Sequence, residues 1–235
     1  WNNIQAPNNA KVTPPSDLSF CPLHFFFCDN WASSLPLVAL QYHDVEVRIY
    51  WSAAAAAAND TYEMWSNFIY LDTAEREMFA QKPLDMLITQ VQKNNASNKI
   101  TQEFSFNHPV AFISAAAGQV TGAASDILTF SINGTVVGDP SLQNPHYTEV
   151  PQYYNTANGI NRVEGGAASG NNVLFCIPFG LDLYRPQPSG SLNFSRLDSA
   201  RLDSSSGVFD QSPFYAVNYN VLRIENGMGG LLYSN

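Results

Sequence analysis

A chain of 235 residues, 45% hydrophobic and 13% charged, holds enough apolar material for one sizeable core and is not disordered in bulk. Its formal charge of -9, with no block of Lys or Arg, excludes the clustered cations that wrapping nucleic acid requires. No apolar run reaches the length of a bilayer-spanning helix, and Asn, Ser, Gln and Thr supply the polar surface in place of charge.

In chain order, Leu18 to Phe27 is apolar and aromatic, and Pro22 marks it as a strand start or edge. Cys21 and Cys28 would lie about 23 Å apart in extended chain, too far to bridge. Cys176, in the run VLFCIPF, reads as a small core residue, so the three cysteines give no disulfide framework and fit a reducing compartment. From Val38 to Tyr50 the apolar Val45, Val47 and Ile49 alternate with Asp44, Glu46 and Arg48, the pattern of a half-buried strand. The alanine tract 53–58 is too short to hold an isolated helix and reads as a loop.

Phe68 to Leu71 is a short strand that leads into a helix over LDTAEREMFAQ. Asp72 caps it with Glu75 completing a capping box, Met78 and Phe79 give it an apolar stripe, and Pro83 stops it. Further strands are expected at Leu87–Gln92, Glu103–Phe106, Val110–Ser114, Ile127–Ile132, Val173–Leu183 and Val217–Ile224, with a turn at Asn133-Gly134. After the last of these, Gly227, Gly229 and Gly230 permit positive φ or close backbone approach before a final apolar segment. Many short strands with little helix indicate an all-β, antiparallel jelly-roll β-sandwich.

The chemistry-bearing residues assemble into no catalytic set. His24, His43, His108 and His146 share no metal-ligand spacing, and the H-x-H run of a cupin-like metal site is missing. Asp44 and Glu46 share a strand face with Arg48, which reads as a solvated face rather than an acid–base pair. The glycines at 227–230 precede no helix, so they are not a phosphate cradle, and there is no G-x-S-x-G elbow. No catalytic, cofactor or metal residue is assigned. Four N-x-S/T sequons occur, at Asn59, Asn95, Asn133 and Asn193. Asn59 and Asn95 lie in polar, loop-like surroundings and are the candidate glycosylation sites; Asn133 sits in a tight turn and Asn193 in a strand. The chain opens on Trp1 rather than Met, the start expected of part of a longer protein.

Five segments, LPLVALQYHDVEVRIYW (Leu35–Trp51), FIYLDTAEREMFAQ (Phe68–Gln81), FNHPV (Phe106–Val110), QPSGSLNFSRLDSARL (Gln187–Leu202) and YAVNYNVLRIENGMGGLLYSN (Tyr215–Asn235), occur in the order of one family. Together they resemble the major capsid proteins of large icosahedral double-stranded DNA viruses, those of algal viruses in particular. The resemblance implies two jelly rolls in tandem and three chains in a pseudo-hexagonal capsomer that tiles an icosahedral shell. On that pattern residues 1–51 hold the closing strands of an incomplete first roll, 52–58 a linker, and 59–235 the complete second roll. It further implies a structural subunit, not an enzyme, without cofactor. Its partners would be itself, neighbouring capsomers and minor capsid proteins, with no direct nucleic-acid contact and no membrane insertion. Its place would be the virion, with synthesis and assembly in the host cytoplasm. Leu35 to Tyr50 would then lack sheet partners within the chain, leaving edges that invite association. The residues by themselves leave one alternative, a carbohydrate-binding sandwich using loop Tyr, Trp, Asn and Asp.

Overall fold

The computed structural model describes residues 23–28, 30–51, 63–115, 120–123, 125–155, 174–183, 185 and 187–234. Two compact units divide the chain: one of residues 1–33, 87–220 and 233–235, the other of 34–86 and 221–232. Strands β1 (Leu84–Asn94) and β10 (Phe214–Glu225) contribute residues to both.

The larger unit is a two-sheet sandwich. Its first sheet runs β1-β10-β3-β7, where β3 is Pro109–Ala115 and β7 is Phe175–Pro178, with β8 (Leu192–Asn193) pairing onto β3. The second runs β2-β9-β4-β5, comprising Thr101–Glu103, Ala200–Ser204, Ile127–Ile132 and Thr135–Val136, with β6 (Ser141–Leu142) on β4. Each sheet interleaves early strands with late ones, the crossed-over order of a jelly roll. Pairing is antiparallel in both sheets, for example Phe214↔Ala115 and Leu128↔Ser204. A bulge at Val217/Asn218 shifts the β3–β10 register.

Inward-facing residues of both sheets make one core. Val110, Ile113 and Ala115 of β3, Phe175 and Ile177 of β7 and Phe214 and Ala216 of β10 meet Leu128 and Phe130 of β4 and Leu202 of β9. Phe104 and Phe106 complete it from the segment after β2, with Phe104 edge-on to Phe214 at 5.3 Å and stacked on Phe106 at 5.6 Å. Contacts of this geometry add about 0.5–1.5 kcal/mol each beyond the area they bury.

The outer faces differ. On the first sheet, Ala111, Phe112, Cys176 and Val217 form a second buried cluster with Leu183 and Tyr219 packed on it. Strand β3 is therefore apolar on both faces, which is why PVAFISA reads as a continuous run. On the second sheet, cross-strand neighbours are polar: Thr101 Oγ1 donates to Asp203 Oδ1 at 2.7 Å, and Arg201 Nε donates to Ser131 Oγ at 3.2 Å.

Register also sorts the loops. Thr101 pairs with Asp203, Ala115 with both Phe214 and Phe175, and Leu128 with Ser204. The connections 95–100 and 205–213 therefore share one end of the sandwich.

In the smaller unit, helix α1 (Thr73–Gln81) starts as expected. Asp72 Oδ1 accepts from Thr73 N at 2.7 Å, and Glu75 Oε2 accepts from Asp72 N at 3.1 Å. Its apolar stripe is only half realised, since Met78 is exposed and Phe79 half-buried. Strands β10 and β11 (Met228–Leu231) close a hairpin through Asn226 (φ 53°) and Gly227 (φ 80°), both in the left-handed region such a two-residue turn demands.

Several expected strands are corrected. The described part of Leu18–Phe27 ends in a 3₁₀ turn, Phe26–Cys28, and Val38 falls in another, Leu37–Ala39. Residues 43–51 and 68–71 are not in a ladder among the described residues, because an amphipathic sequence makes a strand only where another strand accepts its backbone. Expected strand Glu103–Phe106 leaves the ladder after Glu103, since Phe104 and Phe106 turn into the core. Within Val173–Leu183 only Phe175–Pro178 pairs; Val173, the Ala53–Ala58 tract, Cys21, Pro22 and Asn59 lie outside the described residues.

Candidate assembly surface

The smaller unit holds two segments, 43–51 and 63–70, that are in no helix or strand and whose side chains are exposed. The path of the first is fixed at one end by the β10–β11 hairpin: Tyr42 N donates to Gly227 O, and Gly229 N donates to His43 Nδ1, both at 3.0 Å. A side chain on Gly227 would come within 2.6 Å of the Tyr42 ring, and one on Gly229 within 2.9 Å of Leu40. The glycines at 227 and 229 thus admit a neighbouring segment, a packing role rather than ligand binding. Gly230 has open space around it and needs no such explanation.

Beyond His43 the chain carries no helix or strand as far as Trp51. Val45, Val47 and Ile49 are exposed, alternating with the charged Asp44, Glu46 and Arg48. Arg48 Nη2 pairs with Glu46 Oε2 at 2.6 Å, both side chains exposed, the arrangement of a solvated charged face rather than of an acid–base pair. A second segment without helix or strand, 63–70, exposes Trp65 (88%), Phe68 (65%) and Tyr70 (94%). Apolar patches of this kind mark interaction surfaces, and unladdered backbone makes them receptive to added strands.

The larger unit carries a smaller exposed group. Tyr153 and Tyr154 lie on a short helix, Glu149–Asn155, whose Asn155 Nδ2 donates to Gly180 O and Leu181 O, both at 3.0 Å; Leu181 is exposed beside them.

The histidines are dispersed. His43 accepts from Gly229, His108 is buried with its backbone N donating to Ser195 Oγ at 2.8 Å, and His146 lies edge-on to Tyr147. His24 Nε2 is buried without a partner among the described residues. No cluster of three metal-ligating side chains occurs among the described residues. Shallow depressions of 280 and 230 Å³ flank the β10–β11 hairpin, below the usual size of a small-molecule site.

Of the sequons, Asn95 is exposed in the β1–β2 connection. Asn133 Oδ1 instead accepts from Asp198 N and Ser199 N, and Asn193 Oδ1 from Ser195 N. Sequence reasoning missed the deeper polar work of Gln102, which is 1% exposed and organises that same connection. A lone polar residue on a three-residue strand carries no periodic signal.

Residues 2–76 match the family model for the major capsid protein N-terminus. The major capsid protein of Pyramimonas orientalis virus is 34% identical to the chain over 254 residues, covering 95% of this chain and 63% of that protein. That of Paramecium bursaria Chlorella virus 1 is 30% identical over 306 residues, covering 97% and 69%. A quasi-atomic model of the PBCV-1 virus capsid superposes with a TM-score of 0.65 at 25% identity, over 92% of this chain and 70% of that one. The chain spans about two thirds of the length of these relatives. With the jelly-roll strand order and similarity over 97% of its residues in hand, the chain belongs to the viral major capsid protein family.

Proposed function

We propose that the chain is a structural subunit of a viral capsid, three copies of which close a pseudo-hexagonal capsomer that tiles an icosahedral shell. The observation that carries this reading is the exposed apolar ribbon at 43–51 and 63–70, a surface built for neighbouring strands. Strands β1 to β11 all fall within 59–235, which supports assigning that range to a complete roll. Residues 1–51 are then the closing strands of a first roll and 52–58 the linker. The alternation of Val45, Val47 and Ile49 with charge is what a strand with one dry face needs. Each of these half-exposed side chains gains on the order of 1 kcal/mol when a partner covers it.

The role is mechanical rather than catalytic. Partners are further copies, neighbouring capsomers and minor capsid proteins, and the site of action is the virion after assembly in the host cytoplasm. Replacing Val47 by Asp places an unpaired charge in the contact. The expected result is loss of assembly, with the unfolding midpoint of the β-sandwich unchanged. Undiminished assembly of Val47→Asp would remove the ribbon from the interface.

A further inference from the structure

We propose that Asp126, Thr121, Ala123 and Gln143 form a binding site for a calcium ion inside the larger unit. The site lies where three segments meet: the chain entering β4, Gln143 directly after β6, and the turn that leaves β9. Thr121 and Gln143 are fully buried, and Asp126 is 5% exposed.

The Asp126 carboxylate carries the inference. Its Oδ1 accepts from Ser206 Oγ at 2.6 Å, while its Oδ2 is buried and receives no hydrogen bond among the described residues. Nor does Asp126 make an ion pair among them. A carboxylate withdrawn from water without a counter-charge is among the costliest groups a protein interior can hold. The backbone nevertheless fixes this one in place: Asp126 N donates to Ala123 O at 3.1 Å, and Gln143 N donates to Asp126 O at 2.8 Å. Gly207 is what admits it. A Cβ there would stand 2.0 Å from Asp126 Oδ2 and 2.7 Å from Thr121 Cβ, so the orphaned oxygen and the Thr121 side chain face the same narrow space.

The neighbours of that space are short of donors too. Thr121 Oγ1 lies 3.0 Å from Gln143 Oε1 and 3.3 Å from Ala123 O, and its single hydrogen cannot fully serve both. A carboxylate, a hydroxyl, a side-chain amide and a backbone carbonyl thus present oxygens with too few protons between them. That is a hard, oxygen-only ligand set, the kind calcium takes, with water completing its roughly six to eight positions. No nitrogen or sulfur is among these ligands, which disfavours zinc. Donors drawn from loops suit calcium's adaptable shell better than the strict octahedron of magnesium. A single carboxylate sets the affinity at the weak end for calcium sites, on the order of 10⁻⁴–10⁻³ M. Bound there, the cation offsets the buried charge and ties the chain before β4 to Gln143 and, through Ser206, to the turn after β9.

The test is calorimetric calcium binding to the full chain after chelator treatment, with the thermal unfolding midpoint read alongside. The expected result is one calcium per chain and a midpoint raised by about 3–10 °C in roughly 10 mM calcium, unmatched by equal magnesium. Asp126→Asn abolishes both effects. Thr121→Val, which leaves the carboxylate in place, weakens binding and tests the site even where Asp126→Asn does not fold. Val47→Asp keeps both effects, which separates this site from calcium held between copies and from the capsid reading itself. No midpoint rise in the parent chain, an equal rise with magnesium, or undiminished binding in either Asp126→Asn or Thr121→Val would overturn the proposal.

Discussion

Cys176 and Cys28 are the same chemical group in opposite settings. Cys176 lies on β7 within the second apolar cluster, and burial pushes its thiol up to about 12. The reactive thiolate is therefore scarce, and the sulfur is shielded as well. Cys28 is free and exposed. Brief treatment with a thiol reagent at pH 8 should label Cys28 and leave Cys176 unmodified until denaturant is added, as read by peptide mass. Asp85 offers a second residue-scale test. Arg223 Nε and Nη2 donate to its two carboxylate oxygens, both at 2.8 Å, and this hydrogen bonding holds the Asp85 carboxyl below its ordinary value of 3.8. A depressed folded value means the pair favours the folded state above the ordinary carboxylate range and that the benefit disappears as pH falls through the lowered value. Both groups are exposed, so the effect on stability is small. An NMR titration should find the Asp85 midpoint below 3.8, and Arg223→Gln should return it to the ordinary range.

At the scale of elements, the β10–β11 hairpin is the sharpest case. Gly227 has a φ of 80°, and an added Cβ would meet the Tyr42 ring at 2.6 Å, whereas Gly230 has nothing within 4 Å. Gly227→Ala should lower stability by about 1–2 kcal/mol from backbone strain alone, with further loss from the clash. Gly230→Ala should stay within about 0.5 kcal/mol of the parent. Denaturant midpoints check both. This hairpin also measures how far the sequence could be read. The glycines announced a close approach, and Ile127–Ile132 was legible residue for residue because its apolar side chains sit at strand period between clear turns. Strand β9, ARLDS, escaped notice because Leu202 is its only large apolar residue; Ala200 and Ser204 fill the other inward positions. The opposite error at 43–51 has the same root. Alternation reports what a segment wants on each face, and the ladder that makes it a strand depends on a partner the local sequence does not contain. Of the candidate glycosylation sites, the loop setting of Asn95 was legible, but the contrast with Asn133 and Asn193 rests on hydrogen bonds spanning up to 66 residues.

At the scale of the whole molecule, a well-packed jelly roll coexists with segments outside any ladder that expose Val45, Val47, Ile49, Tyr50, Trp65, Phe68 and Tyr70. A chain with so little charge and so much apolar ribbon is poorly suited to remaining alone in water. The capsid reading explains this surface as contact area, and the polar outer face of the second sheet as surface left wet. The most direct measurement is the solution mass of the purified protein by light scattering after size exclusion. The account predicts species at three times the 25.9 kDa chain mass, or larger closed assemblies, that fall apart in Val47→Asp. A stable monomer at micromolar concentration, above all one that binds sugar, would contradict it.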